Sequence, residues 1–228
     1  MGLNAKLPNG SAAPNPVIYD IDGFENPAST VSALHAMGFH VVCYIEVGAA
    51  ENYRPDYSEF PAAALGNVMP GYSDERYLDI RNATVVSIIE ARLSMCASKG
   101  FDAVETDIDE SYGSDTGFPL TQADEESYMT TLANFMHSEK LGWWIKDPDD
   151  TGDSYAADMY PLADAVLTEQ CNQYDTCGLL KDYVGHKAVF NAEYAPETTS
   201  EFCPSDDAQG FNGALFPVDL TGARSPCQ

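Results

Sequence analysis

The sequence predicts an α/β fold in which parallel strands form a (β/α)8 barrel of the TIM type. Short runs rich in β-branched and aromatic residues recur along the 228 residues, and a helix-length segment separates each run from the next. Near-continuous apolar runs of this kind are typical of parallel strands covered on both faces. No glycine-rich dinucleotide fingerprint follows any run, so a barrel is favoured over an open doubly wound sheet.

Seven strands are predicted from these runs. They span Val17 to Ile21, His40 to Val47, Asp102 to Asp107, Gly142 to Lys146, Ala165 to Glu169, Lys187 to Asn191 and Gly213 to Phe216. A full barrel has eight strands. We expect the first one near the N-terminus as a truncated or degenerate remnant over Leu3 to Leu7. Residues 1–16 are accordingly interpreted as an N-terminal extension, and residues 17–228 as one barrel domain.

Helix signals lie between the strands. A proline in the first turn and a glycine after the end indicate a helix over Ala28 to Met37. The segment from Asn82 to Lys99 carries apolar residues at close to a 3.6-residue period and is also followed by glycine. Thr121 is predicted to cap a third helix, with Asp124 three positions on as in a capping box.

The charge balance is strongly acidic. The chain has 11 Lys and Arg against 36 Asp and Glu, a formal net charge of -25. Such a surface repels nucleic acid and anionic membranes and attracts cations. No apolar run approaches the roughly 18 residues of a membrane span. We therefore expect neither nucleic acid nor a membrane as a partner. We also expect the protein to be a monomer. The acidic surface fits the binding of a polycationic ligand. The alternative is that the negative charge only keeps a secreted protein soluble.

The six cysteines favour disulfides over a metal centre, because their count is even and none forms a CxxC pair. Cys171 with Cys177 and Cys203 with Cys227 are the economical pairings, which leaves Cys43 and Cys96, but six cysteines allow 15 connectivities and the sequence does not choose among them. Sequons at Asn9 and Asn82 agree with secretion. We expect an extracellular protein.

Polar residues concentrate at the carboxyl ends of the predicted strands, where barrel enzymes have their active sites. These residues are Asp20, Asp22, Tyr44, Glu46, Glu105, Asp107, Lys146, Glu169, Asn191 and Glu193. Glycoside hydrolysis needs two carboxyl groups, one to protonate the leaving oxygen and one to attack carbon or activate water. Asp107 and Glu169 directly follow apolar runs on different strands and are the predicted pair. The alternative for a single strand-end Asp is a cap or loop hydrogen bond.

Other kinds of functional site are less favoured by the sequence. The four histidines share no spacing that a metal site or a catalytic triad would need. The segment from Asp147 to Asp158 resembles a calcium loop, but it lacks the Glu at position 12 and contains Pro148. We interpret it as a solvated acidic loop, and we expect neither a metal nor a cofactor.

Seven segments of the chain resemble glycoside hydrolase family 114, the endo-α-1,4-polygalactosaminidases. In order they are Val17 to Phe24, Val42 to Ile45, Arg54 to Asp56, Arg76 to Arg81, Ala103 to Asp107, Thr168 to Cys171 and Ala188 to Tyr194. The chain departs from the family in lacking a Trp/Gln-rich first strand, in having Asp147-Pro148 in place of Asn-Asp, and at Glu46 and the two residues after Asp107.

The resemblance implies a TIM barrel that cleaves α-1,4-linked galactosamine polymers such as galactosaminogalactan with retention of configuration. It implies Asp107 as nucleophile and Glu169 as acid/base. The other strand-end residues would line the sugar sites, and their carboxylates would pair with the ammonium of unacetylated galactosamine. The substrate is then a cationic or partly N-acetylated polysaccharide. The alternatives are a catalytically weakened carbohydrate-binding homologue and a hydrolase of another α-linked glycan.

Overall fold

The structure, a computed structural model, describes residues 18–152, 154–220 and 223–227. The expected strand over Leu3 to Leu7 and the sequon at Asn9 lie outside these residues. The chain divides into two compact units. The first unit comprises Ile18–Lys146 with Pro161–Ala163, and the second comprises Asp147–Tyr160 with Asp164–Gln228.

The first unit alternates parallel strands with helices. Its main elements are β1 (Ile18–Asp22), α1 (Ala28–Ala36), β2 (His40–Glu46), β3 (Ala49–Glu51), β4 (Leu65–Met69), β5 (Tyr72–Leu78), α2 (Ala83–Lys99), β6 (Ala103–Asp107), α3 (Gln122–Ser138) and β7 (Gly142–Lys146). β1, β2, β6 and β7 pair in that order, all parallel. The register places Tyr44 opposite Glu105 and Glu46 opposite Asp107. The carboxyl ends of β2 and β6 therefore lie side by side.

The predicted helix boundaries are confirmed in this unit. The Asn82 side chain caps α2 by accepting a hydrogen bond from the amide of Thr84 (2.9 Å), and α2 ends at Gly100 with φ 87°. Thr121 and Asp124 form the capping box of α3. Each cap satisfies amides that have no partner within the helix.

A three-stranded antiparallel sheet, in the order β3-β5-β4, is an element that the sequence analysis does not predict. β5 reads Tyr-Ser-Asp-Glu-Arg-Tyr-Leu, and its first three residues are exposed. Strand signals depend on apolar alternation over one buried face. Only the last two residues of β5, Tyr77 and Leu78, are buried, so its sequence does not carry that pattern.

The second unit continues the alternation. Its elements are α4 (Tyr155–Met159), β8 (Ala165–Glu169), α5 (Cys171–Tyr174), β9 (Ala188–Glu193), α6 (Thr199–Gln209), β10 (Asn212–Leu215) and β11 (Ser225–Pro226). β8, β9 and β10 are parallel neighbours, and β11 pairs with β10 in the antiparallel direction. β9 runs two residues beyond its predicted end. β11 is too short to leave a periodic signal.

The expectation of disulfides is confirmed, and of the connectivities left open the structure has Cys43–Cys96, Cys171–Cys177 and Cys203–Cys227. The first joins β2 to α2 and packs against Gly23, where a Cβ would lie 2.5 Å from the Cys43 sulfur. Within the part of the chain that the structure describes, no helix has both the length and the apolar character needed to cross a membrane.

Candidate active site

Asp107, at the end of β6, is held by three groups of the first unit. The Tyr44 hydroxyl donates to its Oδ2 atom (2.7 Å), and the Ile108 amide donates to Oδ1 (2.9 Å). Lys146 Nζ lies 3.3 Å from Oδ1. Tyr44 and Lys146 come from β2 and β7, the two strands that flank β6. The structure thus brings two predicted site residues, Tyr44 and Lys146, to the carboxylate of a third, Asp107.

The phenol of Tyr44 is kept in its neutral form. Burial, and then the negative charges of Asp107, Glu46 and Glu105, raise the pKa of Tyr44 above its ordinary value. A neutral phenol retains the proton that it donates to Asp107. Tyr44 therefore orients the carboxylate as a hydrogen-bond donor.

Two further predicted residues lie in the same group. Asp20 lies on β1, and burial raises its pKa to about 7, against a hydrogen bond shared with Glu105. The charge of Asp107 adds to this shift and that of Lys146 opposes it. Glu105 is buried one pleat below Asp107 on the same face of β6.

Glu46 ends β2 beside Asp107 and belongs to a second cluster of carboxyl groups. Burial, and then the charges of Glu51, Glu75 and Asp107, raise the pKa of Glu46 to about 9, and Arg92 opposes the shift. Glu46 therefore carries a proton at neutral pH. Glu75 shares a hydrogen bond with it. Glu51 and Glu75 lie on β3 and β5, in the sheet that the sequence analysis did not predict.

Asp22 has a different environment from the other strand-end residues. Its carboxylate accepts two hydrogen bonds from Arg54 (3.1 and 2.5 Å) and one from the amide of Phe24 (2.8 Å). Arg54 is itself buried and also donates to Glu51 (2.7 Å). These contacts fix the turn after β1. A direct role of Asp22 in sugar binding stays a prediction.

In the second unit, Glu169 ends β8 in an arrangement that parallels that of Asp107. The Tyr194 hydroxyl donates to Glu169 Oε1. Tyr194 follows β9, the strand next to β8. Each of the two predicted catalytic carboxylates thus accepts a hydrogen bond from a tyrosine of a neighbouring strand or its end. The resemblance segments include Tyr194, but no spacing rule identified its hydroxyl as a partner.

The backbone is unusual directly after three of these strand ends. Ile108, Asp147 and Gln170 follow Asp107, Lys146 and Glu169, and their φ angles are 57°, 46° and 60°. Side chains other than glycine rarely adopt this left-handed region, and such strain is concentrated at functional sites. Gly48 accommodates the turn at Ile108, because a Cβ there would lie 1.9 Å from the Ile108 carbonyl oxygen.

Asn191 and Glu193 lie in a buried polar cluster. Glu193 Oε1 accepts from the Asn172 amide (2.9 Å) and from Asn191 Nδ2 (3.2 Å). Asn191 Nδ2 also donates to Asp206 Oδ2 of α6 (2.9 Å). The cluster joins α5, β9 and α6, and burial raises the pKa of Glu193. As sugar ligands, Asn191 and Glu193 remain untested predictions.

The interpretation of Asp147 and the residues after it as a solvated acidic loop is wrong for two of its carboxylates. Asp147 and Asp149 are buried, with 8% and 0% exposure. Asp149 accepts hydrogen bonds from the hydroxyls of Thr168 (2.9 Å) and Thr176 (2.6 Å), and Asp147 Oδ1 accepts from the amide of Glu169 (2.6 Å). These donors compensate the burial of the carboxyl groups. Residue 153 of this loop lies outside the described residues.

Comparison with known families decides the class of the protein. The model of glycoside-hydrolase family GH114 matches residues 5–228. The chain belongs to this family. The predicted GH114 resemblance and the predicted enzyme class, a glycoside hydrolase of the polygalactosaminidase family, are therefore confirmed.

Solved structures agree with the GH114 assignment. The chain is similar to Ega3 of Aspergillus fumigatus, solved in complex with galactosamine, with 28% identity and a TM-score of 0.85 over 100% of this chain and 96% of that chain. It is also similar to the glycoside hydrolase domain of PelA from Pseudomonas aeruginosa, with 14% identity and a TM-score of 0.68 over 95% and 92% of the two chains. Among curated proteins, none matches the chain.

A more distant similarity concerns the fold alone. The chain is 11% identical to the α-galactosidase TtGalA of Thermus thermophilus, with a TM-score of 0.59. The similarity covers 86% of this chain and 50% of the TtGalA chain. The predicted α/β fold of the (β/α)8 class is confirmed by these similarities.

Proposed function

We propose that this GH114 enzyme cleaves α-1,4 linkages within galactosamine-containing polysaccharides, with Asp107 and Glu169 as its catalytic carboxyl groups. The observation that carries the proposal is their matched setting. Each ends a parallel strand and accepts a hydrogen bond from a tyrosine hydroxyl. Each is also followed by a residue with positive φ.

The proposed reaction proceeds in two steps with retention of configuration. Asp107 attacks the anomeric carbon while Glu169 gives its proton to the departing glycosidic oxygen, and the carbon–oxygen bond breaks. Glu169 then removes a proton from water, which attacks the same carbon and releases Asp107 from the glycosyl ester. The positive charge of Lys146, 3.3 Å from Asp107, favours the ionised carboxylate that the attack requires. Asp20, Tyr44 and Glu105 complete the surroundings of the nucleophile.

The substrate assignment rests on charge and on similarity. The net charge of -25 attracts a polymer whose unacetylated galactosamine units carry ammonium groups. The structure of Ega3, similar along the whole chain, was solved with galactosamine. We propose a monomeric, secreted enzyme, and three disulfides agree with an oxidising compartment.

The test compares product release from a deacetylated α-1,4-galactosamine polymer by the wild type, Asp107→Asn and Glu169→Gln, followed by mass spectrometry. We expect oligosaccharides from the wild type and losses of roughly 100- to 10,000-fold in both variants. Asp207→Asn, which removes a charge from an exposed position of α6, is the matched control and should keep wild-type activity.

The outcomes separate the competing functions. Binding of the polymer without any release by the wild type would favour a carbohydrate-binding protein. Cleavage of another α-linked glycan alone would reassign the substrate. Wild-type rates in Asp107→Asn or Glu169→Gln would disprove the catalytic pair.

A further inference from the structure

We infer that Glu46 and Glu75 form a binding site for the amino group of a galactosamine unit, next to the catalytic Asp107. This inference rests on the proposed function and assigns a recognition role to two residues of the first unit. One of them, Glu75, lies on the small antiparallel sheet rather than on a barrel strand.

The strand register places the site. Glu46 is opposite Asp107 in the pairing of β2 with β6 and follows Tyr44 by one pleat, so the three side chains extend from one face. Glu75, on β5, shares a hydrogen bond with Glu46 and lies within electrostatic reach of Asp107. Glu46 is buried, at 3% exposure, whereas Glu75 is half-buried. A ligand can therefore approach from the side of Glu75.

Two buried oxygens of this cluster receive no hydrogen bond from any residue within the described ranges, Glu46 Oε2 and Glu51 Oε2. Arg92 Nη1 lies 3.5 Å from Glu51 Oε2, and the proposed acceptor is Glu46 Oε2. A buried acceptor without a donor is unfavourable, so the site calls for a donor from outside. An ammonium group supplies three N–H donors and a positive charge. The described residues contain no group of three or more side chains placed to hold a metal ion.

The two arginines near the cluster are held by other carboxylates than Glu46 and Glu75. Arg92 donates to Asp56 (2.7 and 2.9 Å) and lies 3.5 Å from Glu51, and Arg54 donates to Asp22 and Glu51. A proton on Glu46 balances part of the negative charge of the cluster, because burial and then Glu51, Glu75 and Asp107 raise the pKa of Glu46 to about 9. When an ammonium group binds, it replaces that proton as the positive charge. Glu46 becomes a carboxylate, and one proton leaves for solvent.

Proton release is a direct test of this exchange. Calorimetric titration of the wild type with a short α-1,4-galactosamine oligosaccharide is done at about pH 6, where the amino groups of the ligand and Glu46 all carry their protons. In two buffers of different ionisation enthalpy, it should show release of about one proton per bound chain. Glu46→Gln should release none and bind at least about 10-fold more weakly. Glu59→Gln, which changes an exposed residue of the same unit, should behave as wild type.

A second measurement compares kcat/KM on the deacetylated polymer with kcat/KM on its N-acetylated form. Glu46→Gln and Glu75→Gln should each lower this ratio about 10-fold, because an acetylated nitrogen carries no charge for the site to recognise. Thermal unfolding of both variants checks that they fold, and Glu75→Gln tests the site even if Glu46→Gln does not.

The inference is overturned if the wild type releases no proton, or if both variants keep the wild-type ratio. Cleavage of neither polymer by the wild type would defeat the proposed function instead. The calorimetric measurement needs no cleavage, and it would then still decide whether Glu46 recognises the amino group.

Discussion

Tyr44 and Tyr194 each place a hydroxyl group on a proposed catalytic carboxylate. Removing one hydroxyl leaves the carboxylate in place but frees its orientation, which a chemical step requires to be fixed. We expect Tyr44→Phe and Tyr194→Phe to lower kcat about 10- to 100-fold, with little change in KM or in melting temperature. Steady-state kinetics on the deacetylated polymer measures both constants.

Tyr174→Phe is the control for these variants, because Tyr174 is 62% exposed in the same unit as Tyr194. It should leave kcat unchanged. A rise in KM with an unchanged kcat in Tyr44→Phe or Tyr194→Phe would show that the hydroxyl binds sugar rather than orients the carboxylate.

Also at the residue scale, the sequence predicts where a residue lies along its strand better than it predicts the hydrogen-bond partners of the side chain. Asp107, Lys146 and Glu169 all end strands as predicted, because an apolar run marks where a parallel strand stops. Asn191 and Glu193 also lie on their strand, yet their side chains bind Asp206 and the Asn172 amide. Partners distant in sequence determine such contacts, and a single sequence does not contain that information.

At the scale of elements, the parallel strands and α1, α2 and α3 are predictable because each carries periodicity or end signals of its own. α6 is not predicted, and it has Pro204 within it. β3 is buried but only three residues long, whereas β4 and β5 have several exposed residues. The three strands pair with one another and share a small apolar cluster of Ala49, Met69 and Tyr77, which is too small to give a periodic pattern. This sheet contributes Glu51 and Glu75 to the candidate site. The sequence therefore gives no direct indication of this part of the site.

The disulfides that join secondary-structure elements allow a quantitative prediction of how much stability each one contributes. Cys43–Cys96 joins β2 to α2 across 53 residues, whereas Cys171–Cys177 spans only 6. Loop closure in the unfolded chain costs more entropy for the longer loop, so replacing both cysteines by alanine should destabilise the protein by about 4 kcal/mol for the first pair and about 2 kcal/mol for the second. Urea unfolding of the two double variants measures the difference. Equal or reversed losses would mean that local packing outweighs chain entropy.

At the scale of the whole molecule, many acidic groups titrate far from their ordinary range. Burial raises the pKa of Glu125 to about 7 against hydrogen bonds from Ser111 and Tyr112, and the pKa of Glu46 is about 9. On the other side, hydrogen bonds from the Val41 amide and from His35 lower the pKa of Asp102, although burial opposes them. The balance of these groups, rather than the net charge alone, determines how stability depends on pH.

The sign of that dependence follows from proton binding. Glu46 and Glu125 lose their protons near pH 4.5 in the unfolded chain but only near pH 9 and pH 7 when folded. Between these limits the native state holds more protons, so the free energy of unfolding falls as pH rises. Below about pH 4 the stabilisation from ionised Asp102 is lost. We therefore expect maximum stability near pH 4 to 5.

Urea unfolding at pH 4.5, 6, 7.5 and 9 and constant ionic strength tests this optimum. We expect the free energy of unfolding to fall by roughly 1 kcal/mol per pH unit for each such group within its window. Glu46→Gln and Glu125→Gln cannot ionise, so each should flatten the decline, whereas Glu59→Gln should not. A stability that rises from pH 5 to pH 8 would mean that these carboxyl groups fold in their charged form. It would also remove the proton that the ammonium site is proposed to exchange.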